Sequence, residues 1–425
     1  MIIEIRAKNC FVFEDEITFS MKADMRNKKL ASNVHKENNF NVLKTAGIYG
    51  PNNVGKTCLI KCIRAIKRIL ENKTSDLMSN MFSDSDICDL GVTFMARGRK
   101  FSYSLMYNDK TGEYIYESFS EMLKDKYGNE KEICWLKKDT VNEEYFCLDV
   151  DVQAMIPIVS KNNLLFHLID TSKFKHLDEM MNILIEFAEK IDIINMNNIP
   201  LQHTIDLMKN KNGLQDKIVE FIKNADLYMD NFEYVDMDKI QIKRNDGTEM
   251  PEEKVLDIPD QIMDQIRLVS TYRGIHVSST LFDSTGTKKI AAMASYVIEA
   301  LEQGRIILVD ELDSSIHFKL TRAIVAMFNN ELNTSAQMIF TVHDINLMDC
   351  KRLLRKEQIW FLHKDDEGVY VYSLSDFTAQ QGVRDTTDIM EKYRKGVLGA
   401  LPEPELINTL LSVKGNAKGV VAHDK

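Results

Sequence analysis

The chain has 425 residues, of which 44% are hydrophobic and 28% charged, a composition that can bury a sizeable core in two or three domains. Its 54 lysines and arginines against 64 aspartates and glutamates leave a net charge of -10; that argues against a surface largely coated in nucleic acid, though not against a local basic groove. No apolar run approaches the roughly 18 residues that span a bilayer. The seven cysteines, odd in number and without a Cys-x-x-Cys pair, point away from a disulfide framework or zinc site and toward a cytoplasmic protein.

Met1 to Cys10 alternates charged and apolar residues, which predicts a strand and not a signal peptide. Ile3, Ile5, Phe11, Phe13, Ile17 and Phe19 alternate around a short break and predict a β-hairpin. Ala46 to Tyr49 is a short apolar strand running into a glycine-containing turn, and Thr57 to Leu70 has the apolar spacing of a helix. Val92 to Met106 and Tyr114 to Phe119 predict antiparallel strands. From about Phe174 to Met229 the pattern is helical, with loops around Asn197-Asn198 and Asn210 to Gly213. Strand character returns near Phe232 to Ile242, and Lys243 to Glu253 predicts a hairpin or exposed loop. After Ile266 helices and strands alternate. Repeats, low-complexity tracts and long heptads are absent from the sequence.

Gly50-Pro51-Asn52-Asn53-Val54-Gly55-Lys56-Thr57 fits G-x-x-x-x-G-K-[ST] between a predicted strand and a predicted helix, the context the motif requires. Successive backbone N–H groups there form a concave anion site, and the helix start adds the positive end of a dipole. Lys56 is expected to reach the β- and γ-phosphates of ATP, and Thr57 to ligate Mg²⁺. The candidate nucleotide-binding set runs from Gly50 to Cys58. Cys58 and Cys62 share one face of the helix and also read as packed core residues, as do Trp135 and Trp360.

Arg305 to Glu311 is an apolar strand ending in two acids. Such a strand belongs in a parallel sheet covered on both faces, with its acids at the ligand-binding edge. Asp310 is expected to hold Mg²⁺ and Glu311 to polarise an attacking water. Another strand, Met338 to Val342, ends at His343, 33 residues beyond Asp310. A lone histidine is usually bland, but at this strand end it is expected to contact the γ-phosphate. Ser284, Gly286 and Thr287 stand before a helix predicted from about Ile290, forming a second candidate anion site.

The order of phosphate loop, long insert, Ser-x-Gly segment, acidic strand and histidine resembles that of ABC and SMC ATPase heads. The resemblance implies an α/β fold: an ABC-type P-loop ATPase head with an antiparallel β subdomain and an inserted, mainly helical lobe. On that basis residues 1–130 hold the phosphate loop and β subdomain, 131–254 the helical insert, and 255–425 the signature, acidic strand and switch histidine. The resemblance also implies a homodimer, or a higher oligomer built from it, in which Ser284, Gly286 and Thr287 of one copy complete the ATP site of the other. Asp313-Ser314-Ser315-Ile316-His317 corresponds to the D-loop that crosses such an interface. The signature, Ser-Thr-Gly-Thr-Lys, departs from the longer Gly-Gly-Gln form, and no glutamine occurs between Thr57 and Gln153 to serve as a Q-loop residue.

The opening strand with Asn9-Cys10-Phe11 resembles RecF/SMC-type heads. Asp283 to Thr287 and Asp310 to His317 resemble the overcoming-lysogenization-defect and abortive-infection ATPases. Val383-Arg384-Asp385 and Tyr393 to Pro402 are similar to the end of RloA/AbiLi-like ATPases. That branch implies an anti-phage or toxin–antitoxin-like ATPase gating a separate nuclease or toxin. Only 82 residues follow His343, too few for a Toprim nuclease, and Asp365-Asp366-Glu367 reads as a solvated hairpin tip. The alternative is a RecF/SMC-like DNA-repair clamp, for which Lys288, Lys289, Arg352, Arg355 and Lys356 are the candidate basic groove. A transporter ATPase is a distant third, and no membrane association is expected.

Overall fold

A computed structural model describes residues 1–38, 40–124, 129–210, 213–225, 228–235, 260–366, 368–378, 380–384, 387–402 and 406–419. The alternation at the start produces the expected hairpin: β1 (Ile2–Lys8) pairs antiparallel with β2 (Ile17–Ser20), placing Ile5 opposite Phe19. After a small hairpin of β3 (Val34–Glu37) and β4 (Phe40–Leu43) come the apolar β5 (Thr45–Tyr49) and helix α1 (Lys56–Leu70). Strands β6 (Ile87–Ala96), β7 (Arg99–Asn108), β8 (Glu113–Lys124), β9 (Glu130–Asp139) and β10 (Glu144–Cys147) then extend an antiparallel sheet in the order β10-β9-β8-β7-β6-β1-β2. The expected strand from Val92 to Met106 is therefore two strands. Arg97 and Gly98 have φ of 52° and 70°, the left-handed pair that closes a two-residue hairpin.

The next segment holds α2 (Val150–Met155), α3 (Leu165–Leu168), α4 (Lys175–Glu189), β11 (Ile191–Asn195), α5 (Gln202–Lys209), α6 (Gln215–Asn224) and β12 (Asn231–Tyr234). Here the helical expectation fails at Ile191–Asn195, which pairs in parallel with a later strand. Five residues between helices carry too short a pattern to separate strand from helix, and pairing with a distant segment decides. The expected boundaries also yield. β9 and β10 carry the antiparallel sheet past residue 130, and β11 belongs to the parallel sheet, so the segment expected to be a mainly helical insert supplies strands to the head. The Lys243 to Glu253 loop, the boundary after residue 254 and the strand expected beyond Val235 lie outside the described residues.

Helix α7 (Asp260–Ile266) leads into β13 (Leu268–Tyr272) and β14 (Ile275–Ser278), an antiparallel hairpin preceding the alternating region. Then follow α8 (Ser279–Phe282), α9 (Thr285–Gln303), β15 (Ile306–Asp310), α10 (Phe318–Phe328), β16 (Gln337–Thr341), β17 (Ile359–Lys364), β18 (Val369–Ser373), α11 (Ile389–Arg394) and α12 (Leu406–Gly419). The second large sheet has the order β11-β15-β16-β5-β17-β18, parallel except for β18. Asp365 and Gly368 close the β17–β18 turn by mutual hydrogen bonds of 3.1 Å, as expected of a polar hairpin tip; Glu367 lies outside the described residues. Among the described residues no helix is long and apolar enough to cross a membrane.

β5, β15 and β16 are buried at every position. Alternate residues serve two cores. Ile306, Leu308 and Ile339 pack with α1, α4 and the antiparallel sheet, whereas Ile307, Val309 and Met338 pack with α5, α6, α9 and α10. Trp135 and Trp360 are buried as expected, and all seven cysteines are free.

A buried glutamine joins the two sheets. Gln337, at the start of β16, accepts from Ile2 N (2.7 Å) and donates to Ile2 O (2.9 Å) and Leu43 O (3.0 Å). Replacing it with an apolar residue strands buried backbone groups of β1 and β4. Gln337→Leu should cost ~3 kcal/mol of stability, read as a lower urea midpoint with an unchanged slope.

Candidate nucleotide site

β5 delivers the chain to Gly50 at the carboxyl edge of the parallel sheet. A Cβ there would lie 2.5 Å from the carbonyl oxygen of Leu362 in β17, and one at Gly55 would lie 2.5 Å from Val12 Cγ2. Gly50, Asn53 and Gly55 have φ of 150°, 61° and 108°, so the loop's tight path depends on glycine at both ends. Gly55 N-caps α1 without a side-chain cap, leaving the first-turn N–H groups free of a side-chain acceptor, as an anion cradle requires. Lys56 arches back over the loop, donating to Gly50 O (2.7 Å) and Pro51 O (2.8 Å). Burial pulls its ammonium below the usual lysine range, opposed by the carboxylates of Asp310, Asp313 and Glu311. A partly desolvated cation tied only to carbonyls here is poised for an anion.

Three segments converge on Asp310, which is buried at the end of β15. Its Oδ2 accepts from Thr57 Oγ1 at 2.9 Å and from Asn195 Nδ2 at 3.2 Å, and its Oδ1 accepts from Thr341 Oγ1 at 2.6 Å. Thr341 Oγ1 in turn accepts from Glu311 N at 2.8 Å, fixing the backbone where Glu311 takes a φ of 56°. Thr57, Asp310 and Glu311 are thus brought together as the motifs imply. His343, exposed at the end of β16, is linked to the same edge through its backbone: its N–H and that of Asp344 donate to Asp313 Oδ2 at 3.0 and 2.8 Å.

Asn195 and Asn197, absent from the motif reading, stand beside Asp310 and Glu311. Parallel register puts Asn195 directly opposite Asp310, and Asn197 Nδ2 donates to Glu311 Oε2. The sequence signal is weak: Asn195 ends a strand expected to be helix, and Asn197 falls in an expected loop.

The signature helix starts earlier than expected. α9 begins at Thr285, with Ser284 Oγ capping Thr287 N at 3.1 Å. Ile290, where the start was expected, already lies within its buried run, which opens at Lys289. Asp283, just outside the helix, is buried and accepts from Ser270 Oγ (2.6 Å), Ser279 Oγ (2.6 Å) and Tyr272 Oη (2.8 Å). These bonds fix the signature turn to β13 and α8. Gly286 faces the D-loop, where a Cβ would lie 3.1 Å from Ser315 O. Among the described hydrogen bonds none joins Ser284, Gly286 or Thr287 to the phosphate loop of the same chain.

The candidate basic groove dissolves. Arg355 is buried on Glu357 and on the carbonyls of Asp24, Asn27 and Lys29. Lys288 donates to Thr280 O at 2.6 Å, and Lys289 is buried against Ser314 and Ser315. Lys356 reaches Val383 O at 3.3 Å, and Arg352 is exposed. In the C-terminal pattern, Val383 is buried and Tyr393 donates to Ala400 O at 2.8 Å; Asp385 lies outside the described residues.

Residues 199–349 match the model of a family described as "AAA domain, putative AbiEii toxin, Type IV TA system". The match covers the signature, both acids and His343, and the phosphate loop lies upstream at the adjacent strand. The mixed α/β fold, a largely parallel sheet bearing the phosphate loop beside an antiparallel sheet, is the one expected of an ABC/SMC-type P-loop ATPase head. No curated protein matches the chain in sequence. Solved structures similar to this chain include the SMC head domain from Thermotoga maritima, at 11% identity and a TM-score of 0.43 over 88% of this chain and 98% of that one. Another is an SMC head bound to the C-terminal winged-helix domain of ScpA, at 12% identity and a TM-score of 0.43 over 90% and 99% of the two chains.

Asp283→Ala should leave three hydroxyls around an empty carboxylate position and loosen the signature turn. The expected result is a stability loss of ~2 kcal/mol and faster proteolysis after Phe282 or Leu281, both exposed on α8. Unchanged proteolysis and stability would refute the clamp.

Proposed function

We propose that this protein binds Mg²⁺–ATP at residues 50–58 and hydrolyses it, with a second copy of the chain completing each site. The observation that carries this reading is the convergence of Thr57, Asp310, Glu311 and Asn195 beside Lys56 and the loop amides. The donors fit the ion: a threonine hydroxyl, a carboxylate and an amide are hard ligands suited to Mg²⁺. Among the described residues no cluster of three or more His, Cys, Asp or Glu side chains could hold a metal, so the remaining ligands would be phosphate oxygens and water. The ion would neutralise phosphate charge as the γ-phosphoryl group is transferred.

Lys56 and the loop N–H groups hold the β- and γ-phosphates and stabilise the charge that builds on the leaving oxygens. Glu311 orients a water in line with the γ-phosphorus and accepts its proton. His343 donates to a γ-phosphate oxygen. Ser284, Gly286 and Thr287 make no described hydrogen bond to their own phosphate loop; in this reading their helix start serves the nucleotide of a partner copy. ATP then links the two copies and hydrolysis releases them.

The biological role we propose is the ATPase of an anti-phage or toxin–antitoxin-like pair, cycling to gate a separate nuclease or toxin. The family description over 199–349 supports it. The alternative is a RecF/SMC-like ATPase that clamps DNA when ATP-bound; there Lys288, Lys289 and Arg355, engaged inside the fold, would not line the groove.

Lys56→Ala should abolish binding of a fluorescent ATP analogue, and retained turnover would refute the phosphate-loop assignment. Glu311→Gln should bind ATP, lose at least ~100-fold in turnover, and run as a dimer in saturating ATP and Mg²⁺ during size-exclusion chromatography. A monomer under those conditions counts against the shared site. Mass spectrometry of what co-purifies with tagged Glu311→Gln separates the biological readings: a stoichiometric protein partner supports gating, DNA alone supports a clamp.

A further inference from the structure

The catalytic glutamate ends a chain of hydrogen bonds that begins on the signature helix. Lys289, in the first turns of α9, donates to Ser314 Oγ at 3.0 Å. Ser314 Oγ donates to Asn197 Oδ1 at 2.6 Å, and Asn197 Nδ2 donates to Glu311 Oε2. The direction is fixed chemically. An ionised carboxylate can only accept, so Asn197 presents its NH₂ to Glu311 and turns its amide oxygen to Ser314. The Ser314 hydroxyl then donates to that oxygen, and the Lys289 ammonium, which can only donate, fills an acceptor position on the same hydroxyl.

The Asn197 backbone is anchored as well. Its N–H donates to Asn195 Oδ1 at 2.9 Å, Asn198 N donates to Asn195 O at 3.1 Å, and Met196 N donates to Asp310 O at 3.0 Å. The turn after β11 is therefore built on the strand that carries both acids. Asn197 itself is exposed, so its side chain contributes little to the core. A carboxylate held at Oε2 by an oriented N–H leaves Oε1 to receive a proton from water.

We propose that Asn197 is the positioning residue for Glu311, and that Ser314, held by Lys289, anchors the Asn197 amide from its oxygen side. This rests on the catalytic reading of Glu311. Through Lys289 the geometry of the signature helix is felt at the glutamate of the same chain, so a signature seated on a partner's nucleotide and a glutamate ready for its own share one hydrogen-bonded line.

The test is steady-state ATPase kinetics on the full-length chain with binding of a fluorescent ADP analogue. Asn197→Ala should lower kcat by ~10- to ~100-fold, with KM and analogue affinity within about twofold of wild type. Asn197→Asp keeps the shape and the Ser314 contact but turns a like charge on Glu311, and should be at least as slow as Asn197→Ala. Ser314→Ala should be slower than wild type, and Asn197→Ala/Ser314→Ala no slower than Asn197→Ala, because the serine acts through the asparagine. A surface asparagine with only a structural role would tolerate aspartate, so wild-type kcat in Asn197→Asp overturns the inference. Additive losses in the double variant overturn the Ser314 link. Glu311→Gln separates the levels. If it retains turnover, the catalytic reading and this inference fall together; if it loses turnover while Asn197→Ala keeps wild-type kcat, the inference alone falls.

Discussion

The Asp310 carboxylate is the interaction on which the nucleotide site depends. It is buried, and a buried charge is tolerated only when its lone pairs are met. Thr57 from α1, Asn195 from β11 and Thr341 from β16 meet them. One anion thereby registers the starts or ends of three segments that are distant in sequence. The parallel strands bring those segments near one another, and the hydroxyl and amide hydrogen bonds fix their separation. The same carboxylate opposes the loss of charge that burial imposes on Lys56.

Burial of the strands makes that edge possible. β5, β15 and β16 expose nothing along their length, so their polar residues gather where the strands stop. The antiparallel sheet is more than a lid. Gln337 ties β16 to β1 and β4, and Val12, just after β1, limits the space at Gly55. The first residues of the chain therefore help set the shape of a loop nearly fifty residues later.

The D-loop connects the remaining parts. Asp313 accepts the backbone N–H groups of His343 and Asp344, while Ser314 touches Lys289 and Asn197. A segment with a left-handed residue at Ser315, φ 61°, holds its path because these partners are all satisfied. Displacing it would disturb the histidine, the glutamate and the helix that begins at Thr285 together.

The sequence by itself determined the chemistry-bearing motifs. The phosphate loop, the acidic strand, the histidine-ending strand and the capping serine of the signature all depend on local patterns: a glycine spacing, an apolar run with acids at its end, a hydroxyl before a helix. The N-terminal hairpin and the β17–β18 pair were legible for the same reason. Tertiary structure alone decided what depends on pairing across the chain. β11 is a strand because β15 lies beside it, and only that register sets Asn195 against Asp310 and Asn197 against Glu311. Lys289 and Arg355 read as surface charges until the fold supplied their hydrogen-bond partners. A local pattern records which backbone a segment prefers; the partners of a polar side chain are fixed only when distant segments meet.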